Sequence, residues 1–94
     1  MKFNRRIDAN QNQIVTALRG VGATVQSLAS LGFGCPDLLV GRQGRNFLLE
    51  IKDGKKKPSD QKLTEHEAEW HKSWRGQVVT VNNVMDALLA IGAV

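Results

Sequence analysis

Apolar residues Ile7, Ile14, Leu18 and Val21 recur at helical spacing, which predicts a first helix from about Asp8 to Val21, stopped by Gly20 and Gly22. Asn10 and Gln11 fall on the same inward stripe, where apolar side chains are the rule, so both need polar partners. Ala23 to Leu28 is short and rich in β-branched and apolar residues and predicts a strand; Gly32, Gly34 and Pro36 then mark a turn. Asp37 leads a continuous apolar run to Val40, the pattern of a strand covered on both faces. After the polar turn Arg42-Gln43-Gly44-Arg45, the stretch from Asn46 to Lys52 alternates. Phe47, Leu49 and Ile51 point one way, and Leu48, Glu50 and Lys52 the other.

The polar, basic stretch from Asp53 to Lys62 reads as an exposed loop. Thr64 and Glu67 have the spacing of a capping box and open a second helix, with Trp70 and Trp74 at i and i+4 expected in the core and Gly76 as its end. Gln77 to Val81 has the β-branched density of a buried strand, and Leu49 and Val79 are expected core positions. Asn83 can cap a last helix carrying Val84, Ala87, Leu88 and Ile91 on one face. The order α-β-β-β-α-β-α predicts an α/β fold. Three strands form an antiparallel meander, and the helix between the third and fourth strands makes a crossover, giving a mixed four-stranded sheet with a C-terminal helix.

Composition narrows this picture. Ninety-four residues with 41% hydrophobic and 23% charged side chains suit one small folded domain, residues 1–94. A net charge of +4 favours a polyanionic partner, and the run Lys55, Lys56 and Lys57 is where that charge concentrates. Cys35 is the only cysteine, so no internal disulfide can form, and with only His66 and His71 besides it a zinc cage is not expected. Cys35 has no evident base partner, and His66 and His71 are expected to be exposed on their helix. No secretory or membrane-spanning segment is legible, so a soluble intracellular protein is expected.

The candidate chemistry lies where a carboxylate at the start of one strand meets Glu-x-Lys on the next. Asp37, Glu50 and Lys52 can come together because a tight turn joins their strands. Two carboxylates suit a hard divalent cation, Mg²⁺ or Mn²⁺, which keeps water ligands and takes a phosphate oxygen. Lys52 can orient the attacking water or stabilise developing negative charge, so the parts suit phosphodiester hydrolysis. The competing reading is a solvated strand-edge charge pair, common on sheet faces. For the lysine run the alternatives are a solvated loop and a set of phosphate contacts that position DNA without reading its sequence.

Gly34-Cys35-Pro36-Asp37, then Leu48-Leu49-Glu50-Ile51-Lys52, the basic loop and Leu63-Thr64 resemble the virus-type replication-repair nuclease (VRR-NUC) domain of the PD-(D/E)XK, restriction-endonuclease-like superfamily. The resemblance runs from the Asn10-Gln11 helix to the last strand. It implies an α-β-β-β-α-β core, with Asp37, Glu50 and the Ile51 backbone carbonyl as metal ligands and Lys52 as the catalytic lysine. Members often carry an acidic residue on the first helix near the metal, where this chain has Asn10 and Gln11. Glu67 stands where a glutamine of the second helix is expected, so Asn10, Gln11 and Glu67 are candidate supports of the site. Standalone, phage-type members resemble Holliday-junction resolvases in size, so the resemblance implies a homodimer acting on branched DNA, Holliday junctions or flaps, which for a phage-encoded protein would be in the host cytoplasm. The alternative function is a nuclease-fold module that binds DNA or a partner without cutting.

Overall fold

In a computed structural model of the chain, residues 8–94 are described. Ile7, expected on the first helix, lies outside them. Helix α1 spans Gln11–Gly20, three residues later than the hydrophobic period suggests at its start, and buries Gln11, Ile14 and Leu18. Strands β1 (Thr24–Ser27), β2 (Leu38–Arg42) and β3 (Arg45–Ile51) follow, then a 3₁₀ turn at Pro58–Gln61, helix α2 (Glu65–Ser73), strand β4 (Val79–Val81) and helix α3 (Val84–Ala90).

The four strands lie in the order β1-β2-β3-β4. β1 with β2 and β2 with β3 are antiparallel, and β3 with β4 is parallel, so the sheet is mixed as the crossover through α2 requires. Gln43 and Gly44, both at positive φ (51° and 76°), close the β2-β3 hairpin as a two-residue turn. That turn matches the strand twist and locks the register in which Leu38 faces Leu49.

The register sets what each face carries. Leu38 and Val40 of β2, Phe47, Leu49 and Ile51 of β3 and Val81 of β4 enter one core with Ile14 and Leu18 of α1 and with Ala87 and Ile91 of α3 and its end. Glu50 of β3 and Lys52, which directly follows the strand, point to the opposite face and are buried there against α2. Two helices therefore cover the apolar face, and the third covers the polar one.

Several expectations are corrected. β2 is covered fully on one face only, since Leu39 is half-buried between buried Leu38 and Val40. β4 is a sheet edge: Val79 is 36% exposed and Thr80 is exposed, leaving Val81 as its core residue. The Trp pair is not core either. α2 ends at Ser73, Trp74 is 45% exposed, and the two indoles stack on each other with centroids 4.6 Å apart. The loop after β3 contains a 3₁₀ turn that Pro58 opens, its fixed φ suiting the first helical position.

Candidate active site

Asp37 immediately precedes β2, and continuing the Leu38-Leu49 pairing by one residue sets it opposite Glu50. Its Oδ2 accepts the Ile51 N–H at 2.6 Å, which fixes the carboxylate beside the Glu50-Ile51 peptide. Both carboxylates are buried, Asp37 at 5% and Glu50 at 1% exposure. Burial of an ionised carboxylate is costly without compensating partners, so these positions are held by the surrounding structure.

Helix α2 supplies part of that compensation by matching repeats. Residues i and i+4 of a helix rise about 6 Å, and residues i and i+2 of a strand about 6.6 Å. Glu67 and His71 on α2 therefore fall beside Lys52, just past the end of β3, and Glu50 on it. Lys52 Nζ donates to Glu67 Oε1 at 2.7 Å, an ion pair in which both residues are 8% exposed. His71 Nε2 lies 3.7 Å from Glu50 Oε1. Desolvation pushes the His71 imidazole below the usual histidine value; the Glu67 carboxylate opposes that shift and the Lys52 ammonium adds to it.

Glu67 also completes the capping box. Its Oε1 accepts the Thr64 N–H at 2.8 Å, and its own N–H donates to Thr64 Oγ1 at 3.2 Å. The cap and the contact with Lys52 are thus one arrangement, sharing the Glu67 Oε1. Asn10 sits at the N-cap of α1 without capping it. Its Nδ2 donates instead to the carbonyls of Lys52 (3.2 Å) and Asn82 (3.1 Å), tying α1 to the ends of β3 and β4. Gln11 is buried on the inward stripe, and its Oε1 and the Asn10 Oδ1 have no hydrogen-bond partner among the described residues.

Lys55, Lys56 and Lys57 stand on an exposed loop, with Lys56 Nζ 3.5 Å from Asp8 Oδ1. The loop is anchored by an amide relay: Asn82 Nδ2 donates to Gln61 Oε1 at 2.6 Å, and Gln61 Nε2 donates to the Lys56 carbonyl at 2.7 Å. His71, expected exposed, is half-buried against Glu50. The sequence signal for it was the four-residue step from Glu67, which pairs with the two-residue step from Lys52 to Glu50. His66 is exposed and Cys35 half-buried.

A metal can be tested against these donors. Among the described residues no three His, Cys, Asp or Glu side chains gather to hold a cation unaided. Two neighbouring buried carboxylates and a backbone carbonyl nonetheless suit Mg²⁺ or Mn²⁺, because Mg²⁺ is usually bound through one or two carboxylates and completes its shell with water and substrate phosphate. The donor set fits such an ion. No helix among the described residues is long and apolar enough to cross a membrane.

No protein-family model matches the chain, and no curated protein matches it. A solved structure described as "VRR_NUC domain" matches with a TM-score of 0.63 and 26% sequence identity, covering 87% of this chain and 89% of that one. The order of elements in this chain is α-β-β-β-α-β-α. By fold, and by a likeness that runs nearly the length of both chains, this chain is similar to a VRR-NUC domain and takes its nuclease fold.

Proposed function

We propose that the protein is a metal-dependent endonuclease that hydrolyses DNA phosphodiesters, selective for branched DNA such as Holliday junctions or flaps, and that it acts as a homodimer. The observation that carries this reading is the burial of Asp37, Glu50 and Lys52 on one face of adjoining strands, with Lys52 fixed at 2.7 Å from Glu67. A solvated strand-edge pair would show none of that burial.

Asp37, Glu50 and the Ile51 carbonyl would hold the cation, Mg²⁺ or Mn²⁺, which when bound supplies Lewis-acid polarisation of the scissile phosphate and the attacking water. The Ile51 N–H keeps the Asp37 carboxylate oriented toward the neighbouring strand. Lys52 presents an ammonium whose position is set by Glu67, and it stabilises negative charge as it develops on the phosphate. The exposed lysine loop after β3 receives the flanking phosphates and positions the strand. Two sites related by a two-fold axis match the two symmetric strands of a junction, and a domain of this size gains buried surface from self-association.

The test incubates purified protein with labelled four-way junction, flap, linear duplex and single-stranded DNA, with Mg²⁺, Mn²⁺ or EDTA, beside Lys52→Ala. The expected result is cutting that requires metal and is lost in Lys52→Ala, with junction or flap cut in preference to linear duplex. Binding retained without cutting of any substrate in either metal would replace the reading with that of a non-catalytic DNA-binding module.

A further inference from the structure

The His71 imidazole occupies a position that contacts among the described residues leave unsatisfied. Its Nε2 is fully buried and has no hydrogen-bond partner among the described residues. Glu50 Oε1 lies 3.7 Å from it, too far for a hydrogen bond. If Nε2 carries a proton, a buried donor goes unused. If it does not, a lone pair faces the oxygen of a buried carboxylate. Either tautomer is unfavourable unless something sits between the two atoms.

The spacing indicates what fits there. Two donors each about 2.1 Å from a shared cation lie roughly 3.0 to 4.2 Å apart as the angle at the cation runs from about 90° to 180°. The 3.7 Å between His71 Nε2 and Glu50 Oε1 falls inside that interval. Imidazole nitrogen and carboxylate oxygen together form a ligand pair suited to a first-row transition ion, whereas oxygen donors alone suit Mg²⁺.

We infer that His71 Nε2 is a ligand, with Glu50 Oε1, of a divalent cation at this site, and that it biases the site toward Mn²⁺ or Co²⁺ over Mg²⁺. The inference rests on the nuclease reading to the extent that Glu50 is taken as a metal ligand. It pairs a nitrogen donor from α2 with the Glu50 carboxylate, a two-side-chain set consistent with the absence of any gathered group of three His, Cys, Asp or Glu side chains among the described residues. Water and substrate phosphate fill the remaining positions.

Electron spin-echo envelope modulation of the full chain loaded with Mn²⁺ tests it directly, because an imidazole nitrogen bound to the ion modulates the echo. The expected result is Mn²⁺ binding that Glu50→Gln abolishes, with nitrogen modulation that shifts when the histidines are labelled with the heavier nitrogen isotope and is absent in His71→Gln. Isothermal titration should show Co²⁺ affinity falling on the order of tenfold or more in His71→Gln, with Mg²⁺ affinity changed less. Glu50-dependent Mn²⁺ binding without nitrogen modulation in the wild-type protein would overturn the inference, assign the gap to a bridging water, and leave the nuclease reading standing. Absence of any Glu50-dependent Mn²⁺ binding would overturn both. The wild-type spectrum decides the matter even if His71→Gln folds poorly.

Discussion

Glu67 Oε1 accepts from the Lys52 ammonium and from the Thr64 backbone N–H at once, so one oxygen both starts α2 and holds the lysine. Removing it by Glu67→Ala leaves Lys52 buried without its counter-charge and the first turn of α2 without its reciprocal cap. Loss of one partner of a buried ion pair costs about 3 to 5 kcal/mol, and the cap about 1 kcal/mol within that range of effects. Glu67→Gln keeps an oxygen for both donors and removes only the charge, so urea unfolding should show it losing less than half as much as Glu67→Ala. Equal losses would mean that the ion pair, and not the hydrogen-bonding oxygen, sets the stability. The capping spacing made Thr64 and Glu67 readable in the sequence, but the lysine contact was not readable, because it depends on where the crossover lays α2 across β3. His71 was missed for the same reason: on the helix alone it is a polar residue among polar residues.

At the scale of elements, the clearest sequence signals were those enforced by local geometry. The alternation in β3 placed Phe47, Leu49 and Ile51 in the core and Glu50 and Lys52 on the other face, because strand periodicity needs no tertiary context to be read. The expectation for Trp74 failed because helical periodicity was extended past the point where α2 stops, and nothing in the local pattern reveals that the indole stacks on Trp70 in place of entering the core. Gly34 lies between these cases. It was legible as punctuation, but its constraint is a close approach: at φ +81°, a Cβ there would collide with the His66 carbonyl group and come within 2.8 Å of the Glu67 nitrogen. The colliding atoms are backbone of the first turn of α2, which cannot rotate away as a side chain can. Gly34→Ala should therefore cost about 3 kcal/mol or more, combining the left-handed backbone penalty with displacement of the helix start. Because that displacement moves Glu67, cleavage measured well below the melting temperature should fall with it. A variant with unchanged cleavage would show that the loop before Asp37 yields without moving α2.

Across the whole molecule, the net charge of +4 says little until it is located. The lysine loop leaves β3 directly after Lys52, and Asn82 at the end of β4 pins it through Gln61, so the loop has a fixed place next to the candidate site. Within it Lys56 is paired with Asp8 across 3.5 Å, whereas Lys55 and Lys57 are exposed. If the loop receives phosphates, each contact releases counterions and contributes about 0.9 to the slope of log affinity against log salt. Replacing both exposed lysines, Lys55→Ala with Lys57→Ala, should then lower the magnitude of that slope by about 1.8, with affinity falling for every DNA structure alike. The measurement is a salt titration of binding in EDTA, which separates contact from cutting. A slope that does not change would place the DNA elsewhere on the surface, since a loop that touches no phosphate releases no ions. A smaller slope with the order of preference among junction, flap and duplex preserved would assign the loop to holding the strand, and leave the choice of branched structure to the pairing of two sites.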